Sequence, residues 1–204
     1  MATVLKPIRA VVFDVYGTLA EIRDRRAPFK RLLRYAEEQG RKPQADDAAL
    51  VMAQRGGLPE VAARLGVSLP EALYQLLEAD LQAELSSIRL FDDVNGTLAT
   101  LRDRGLKLAL CSNLAEPYAA PIVAQLDRPL DCYAWSFNVG AIKPDPRIYA
   151  YVVQQLGCAA EEALFVGDSV EADFAGPTRI GMQARLIERG KPQALQVMTE
   201  GLTG

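Results

Sequence analysis

Ile8-Arg9-Ala10-Val11-Val12-Phe13-Asp14-Val15-Tyr16-Gly17-Thr18 decides the fold. The run from Ile8 to Phe13 is apolar and rich in β-branched residues, and it belongs to a longer stretch from Leu5 to Asp14. A continuous apolar run closed by a glycine turn predicts a strand covered on both faces, as in a parallel sheet between helical layers. The carboxylate of Asp14 then stands at the strand's carboxyl end, where open α/β sheets bind ligands.

Downstream, the periodicity changes. From about Arg26 to Ser86 the chain is rich in Ala, Leu, Glu and Arg at helical spacing, with breaks near Lys42-Pro43, Gly56-Gly57 and Ser68-Leu69-Pro70. This predicts three or four helices with almost no strand, the last opened by Pro70. Alternation follows. Helices are expected over Val94–Arg104, Glu116–Leu126, Pro146–Leu156 and Val170–Ile180. Strands are expected over Leu106–Cys111, near Tyr133–Phe137, over Ala163–Val166 and over Gln183–Ile187. Strands alternating with helices imply an α/β fold: a doubly wound parallel sheet with right-handed crossovers. The expected division is an α/β core of residues 1–18 and 88–204, interrupted by a smaller all-helical unit of residues 19–87. One short helix is expected in the tail from Lys191 onward.

Composition excludes several chemistries. The 204 residues are half hydrophobic, carry a net charge of −3 and contain no histidine. A Ser-His-Asp or Cys-His machine, a histidine zinc site and a histidine base are all ruled out. The mildly acidic balance offers no pull toward nucleic acid or anionic lipid, and Arg23-Asp24-Arg25-Arg26 reads as a solvated face. No apolar run approaches the roughly 20 residues of a membrane span. Cys111, Cys132 and Cys158 are few, odd in number and widely spaced, as expected of reduced thiols in a cytoplasmic protein. The expected partner is a small-molecule substrate, with no nucleic acid and no membrane, for a monomer or homodimer.

Polar residues collect at four strand ends. These are Asp14 with Gly17 and Thr18; Ser112-Asn113; the loop Ile142-Lys143-Pro144-Asp145-Pro146; and Gly167-Asp168-Ser169, with Asp173 five residues beyond Asp168. Parallel strands would bring them around one crevice. Asp14 can attack an electrophile and form an ester. Gly17 permits a sharp turn that aims backbone N–H groups at an anion. Ser112 can donate to an oxyanion, Lys143 can offset negative charge, and Asp168 can join Asp14 in holding a hard divalent cation such as Mg²⁺. Structural roles compete: Ser112 and Asn113 could cap the helix near Glu116, and Asp168 and Asp173 could cap the helix that follows them.

The four motifs, in this order and spacing, resemble those of the haloacid dehalogenase-like superfamily whose members carry a helical cap after the first strand. The resemblance implies that Asp14 is the nucleophile, that Ser112 and Lys143 bind the transferred group, and that Asp168 binds Mg²⁺. It also implies that Tyr16 offers its main-chain carbonyl to the metal, and that Thr18 and Asn113 bind or orient the transferred group. Asp173 would orient the late loop or support the metal shell. One departure matters. Family phosphatases carry an acid–base aspartate two residues after the nucleophile, and here that residue is Tyr16. Its phenol, with an ordinary pKa near 10, can donate a proton but is a poor base. Tyr16 resembles the 2-haloacid dehalogenase branch, whereas Asp168 and Asp173 resemble metal-dependent phosphatases. Three readings stay open: a Mg²⁺-dependent phosphatase, a metal-independent dehalogenase, and a catalytically silent member that binds a phosphorylated ligand or a protein partner. Arg23, Arg31 and Arg34 are candidate contacts for a substrate anion.

Overall fold

The computed structural model describes residues 6–190 and 194–202. Along the chain, β1 (Ala10–Phe13) and β2 (Ala20–Ile22) precede four helices. These are α1 (Pro28–Glu38), α2 (Asp47–Met52), α3 (Leu58–Arg64) and α4 (Glu71–Ser87). Next come β3 (Ile88–Leu90), α5 (Val94–Asp103), β4 (Lys107–Ser112), α6 (Ala119–Val123) and β5 (Cys132–Trp135). The chain continues through α7 (Ser136–Val139), α8 (Pro146–Leu156), β6 (Ala163–Gly167), α9 (Gly176–Arg179), β7 (Gln183–Leu186) and α10 (Ala194–Thr199).

Five strands form one sheet in the order β5-β4-β1-β6-β7, with every pairing parallel. The expected doubly wound sheet is therefore present, and β1 is its centre. Alternate residues of β1 serve different cores: Val11 and Phe13 join one hydrophobic cluster, Ala10 and Val12 the other. Burial on both faces is why this strand reads as an uninterrupted apolar run. The strand order switches direction at β1, with β4 on one side and β6 on the other. Register aligns Phe13 with Leu110 of β4 and with Val166 of β6, so the next residues of all three strands emerge together. The ends of α8 follow the sequence signals: Asp145 caps the backbone N–H of Arg147, Pro146 opens the helix, and Gly157 closes it in the left-handed region at φ 62°.

Several expected boundaries are corrected. The helices expected between about Arg26 and Ser86 are present, but the unit expected to be all-helical, residues 19–87, opens with a strand: β2 pairs antiparallel with β3, matching Ala20 to Leu90 and Ile22 to Ile88. The helix expected over Glu116–Leu126 is a 3₁₀ turn, Glu116–Tyr118, followed by the short α6. Pro117 and Pro121 supply no N–H to a continuous ladder. The strand expected near Tyr133–Phe137 ends at Trp135, and Ser136–Val139 is helical. The helix expected over Val170–Ile180 begins as a π-helical turn, Val170–Ala175, before α9. Pro177 interrupts the regular ladder there. Of the expected tail helix, Ala194–Thr199 is present; residues 191–193, 203–204 and 1–5 lie outside the described residues. Among the described residues, no helix is long and apolar enough to cross a membrane.

Candidate active site

Asp14 follows the last paired residue of β1 and is buried. Its Oδ1 accepts hydrogen bonds from Ser112 Oγ at 2.9 Å and from Lys143 Nζ at 2.7 Å. The Lys143 ammonium also donates to Asp173 Oδ1 at 2.6 Å. This lysine is enclosed, with its side chain 2% exposed and that of Asp173 1% exposed. Its Nζ lies 5.2 Å from the Phe165 ring centroid. Burial alone would lower the Lys143 pKa, but the Asp14 and Asp173 carboxylates outweigh it and hold the group well above the ordinary lysine value.

The loop carrying Lys143 is fixed by its neighbour at the end of β4. The Asn113 side chain donates to the Lys143 carbonyl at 2.9 Å and accepts from the Lys143 amide at 2.7 Å. The peptide between Lys143 and Pro144 is cis. Asn113 therefore uses both ends of its amide on the backbone of Lys143. It does not cap the following turn either.

The end of β6 supplies the remaining carboxylates. Asp173 Oδ2 accepts from the Ser169 amide at 2.9 Å, so the π-helical turn folds Asp173 back beneath the strand end. A Cβ on Gly167 would collide with the Asp173 side chain, and one on Gly17 (φ 88°) would collide with Asp168 Oδ2. Both glycines are demanded by close approach, and Gly17 by its backbone conformation as well. One oxygen from each of Asp14, Asp168 and Asp173 lies within 4.8 Å of the others. Asp168 is the exposed member. Desolvation, then the charges of Asp14 and Asp173, raise its carboxyl above the usual range. Burial also raises Asp173, against the pull of Lys143. Crowded carboxylates outnumbering the single ammonium are a donor set suited to a hard divalent cation. Asp14 and Asp168 would be the ligands, because Asp173 is committed to Lys143 and the Ser169 amide.

Tyr16 and Thr18 make contacts of their own beside the cluster. The Tyr16 hydroxyl donates to the Tyr118 carbonyl at 2.9 Å rather than meeting Asp14. Burial, reinforced by the Glu84 charge, pushes its pKa well above the ordinary phenol value. Thr18 is fully buried, and its hydroxyl has no hydrogen-bond partner among the described residues. What it does offer is its carbonyl, which accepts from Arg189 Nε at 2.6 Å while Arg189 also pairs with Asp93 at 2.7 Å. Of the candidate arginines, Arg23 pairs with Glu21, Arg31 pairs with Asp80, and Arg34 is exposed on α1.

Sequence reasoning missed Glu84, Tyr118 and Arg189. For Glu84 the signal was available: Leu77, Asp80, Leu81 and Glu84 lie at helical spacing on the buried stripe of α4. Acids on such a stripe need partners. A cavity of about 360 Å³ lies elsewhere, between α5 and α10, and none of the motif residues lines it.

A doubly wound parallel sheet with a lysine-paired aspartate at its central strand end, and further carboxylates at the next, defines an α/β enzyme built around a carboxylate. The chain belongs to the haloacid dehalogenase-like hydrolases, whose family model matches residues 8–181. It is 30% identical over 191 residues to a phosphoglycolate phosphatase of Pseudomonas putida, covering 86% of this chain and 67% of that one. It is 28% identical over 206 residues to (S)-2-haloacid dehalogenase 4A of Burkholderia cepacia, covering 91% and 85%. It is 34% identical over 111 residues to a glyceraldehyde 3-phosphate phosphatase of Methanopyrus kandleri, covering 53% of this chain and 48% of that one. The chain thus spans about half the length of that relative. Two solved structures share the fold. One is a phosphatase of Thermococcus onnurineus (TM-score 0.61, 24% identity, 90% and 87% of the two chains). The other is an enzyme of Bacteroides thetaiotaomicron in complex with magnesium and inorganic phosphate (TM-score 0.63, 17% identity, 93% and 98%).

Proposed function

We propose that this hydrolase cleaves a small phosphate monoester through an aspartyl-phosphate on Asp14, with Mg²⁺ as its cofactor. The observation that carries the reading is the pinned Asp14 carboxylate beside Asp168, a carboxylate with no cation of its own among the described residues. Lys143 and Ser112 both engage Oδ1, which leaves Oδ2 without a direct hydrogen bond among the described residues. Oδ2 attacks phosphorus, the bond to the alcohol oxygen breaks, and the departing alkoxide takes a proton from solvent water. Water then attacks phosphorus, the Asp14–phosphorus ester opens, and phosphate leaves. Lys143 and Ser112 hold the nucleophile and face the incoming negative charge. Asp14, Asp168 and the Tyr16 carbonyl would hold the cation, which when bound supplies positive charge to the transferred phosphoryl oxygens. Asp173 fixes Lys143 and the late loop.

Residues 19–87 serve in this reading as a cap that covers the crevice and selects the substrate, over a core of residues 1–18 and 88–204. The three free cysteines support a reducing, cytoplasmic setting. A monomer or homodimer suffices, with no nucleic acid and no membrane as partner.

The test is hydrolysis of an aryl phosphate that depends on Mg²⁺ and is lost in Asp14→Asn. Equal rates with metal and with chelator would overturn it. A second reading is displacement of halide from a 2-haloacid. The Tyr16 hydroxyl is bound to a carbonyl away from Asp14, and a halide leaves without a proton. Release of halide from 2-chloropropionate in chelator would establish it. Ligand-dependent stabilisation with neither turnover would mark a silent member.

A further inference from the structure

Glu84 lies on α4, far in sequence from every motif residue, and is 3% exposed. Its carboxylate has a full set of donors. Oε1 accepts from the backbone amides of Arg26 and Ala27, each at 2.6 Å, and Oε2 accepts from the Tyr118 hydroxyl. A buried charge is held at large cost unless such donors are in place, and an apolar side chain would be the ordinary occupant of this stripe.

Each donor leads somewhere. Ala27 is the one non-glycine residue with positive φ among the described residues (φ 53°), immediately before α1. The carboxylate therefore fastens the turn through which the chain enters the helical insertion. Tyr118 belongs to the parallel-sheet core, just beyond β4. Its ring meets the Phe29 ring of α1 at 6.1 Å and the Tyr16 ring edge-on at 6.1 Å and 88°. Its carbonyl accepts the Tyr16 hydroxyl. One carboxylate of the insertion thus grips the residue that receives Tyr16, two positions beyond Asp14.

We propose that Glu84 is a positioning residue: by holding Tyr118 it aims the phenol of Tyr16 away from Asp14 and couples the seating of the helical insertion to the geometry of the first motif. Only the kinetic arm of its test rests on the aspartate-nucleophile reading. If the contact is lost, the Tyr118 ring is free to turn, the Tyr16 hydroxyl loses its fixed acceptor, and the crevice wall beside Asp14 shifts.

The test uses the full chain labelled with ¹³Cζ-tyrosine. The Tyr16 resonance is assigned by its disappearance in Tyr16→Phe. It is expected to move or split in Glu84→Leu and in Tyr118→Phe, the latter keeping the ring and deleting only the hydroxyl that meets the carboxylate. An unmoved Tyr16 signal in folded Tyr118→Phe overturns the proposal, even where Glu84→Leu fails to fold. For turnover, with aryl phosphate plus Mg²⁺ or with 2-chloropropionate, Glu84→Gln is expected to lower kcat about tenfold or more with little change in KM. The same substitution in the Tyr16→Phe background is expected to cost much less, because the two act as one unit. Equal losses in both backgrounds overturn the coupling. If neither substrate is turned over, the catalytic reading fails and the resonance experiment still decides the positioning role.

Discussion

Lys143 is the residue on which the site's electrostatics turn, because among the described residues it is the cation in direct contact with both Asp14 and Asp173. Its own pKa is raised, so its stabilising contribution is complete below the ordinary lysine value, about 10.4, and is lost only as pH rises through the higher folded value. The wild-type contribution is therefore flat from pH 5 to pH 9. Lys143→Met leaves two enclosed carboxylates facing each other, and should cost about 3–5 kcal/mol in urea unfolding at pH 8. Burial already raises the Asp173 carboxyl, so its ionised form destabilises the fold above its pKa and protonation relieves it, and the penalty should shrink toward pH 5. A penalty that does not vary with pH would mean that the lysine acts through packing alone. The thiols give a second prediction at this scale. Burial pushes Cys111 up to about 12 and Cys132 up to about 11, while Cys158 is only half-buried. Alkylation of the native chain at pH 8, followed by peptide mapping, should find Cys158 modified first. The importance of Lys143 was legible in its polar loop between elements. The partnership with Asp173 was not, because helical spacing after Asp168 said nothing of a π-helical turn that folds the carboxylate back.

Short elements explain most of what the sequence concealed. β2 and β3 are three residues each and their partners lie far apart in the chain, so no local pattern announces the ribbon that brackets α1–α4. Long periodic segments such as α8 carried their own stop and start signals and were readable from Pro146 and Gly157. The turn after β1 is an intermediate case. Gly17 was visible as a turn residue, but the sequence could not reveal that its missing Cβ makes room for Asp168. Gly17→Ala tests that contact. The alanine must hold φ near 88° and displace a carboxylate, so stability should fall by more than about 1 kcal/mol in denaturant titration. Turnover should fall much further, since Asp168 is pushed from the cluster. An alanine variant that is destabilised yet fully active would show that the approach of these two loops is structural only.

At the scale of the whole molecule, a net charge of −3 goes with three carboxylates gathered at one crevice. The doubly wound order was legible because strands and helices alternate after Gly105, and that order alone predicts convergence of the strand ends at β1. It could not predict how crowded they would be: Asp14, Asp168 and Asp173 lie within 4.8 Å, with one ammonium between two of them. Such a site stores repulsion that a divalent cation would relieve, so the proposed metal dependence implies that folding and ion binding are linked. Mg²⁺ should raise the melting temperature of the wild-type chain at pH 7.5, by an amount that grows with ion concentration. Asp168→Asn should abolish that response while leaving the metal-free melting temperature unchanged or higher, because deleting this charge removes repulsion and no ion pair. Circular dichroism melts of both chains, with Mg²⁺ and with chelator, measure the two effects without any need for turnover. If Mg²⁺ stabilises Asp168→Asn as much as the wild type, the ion binds elsewhere. Crowding at β1 and β6 would then be a feature of the lysine network and not of a metal site.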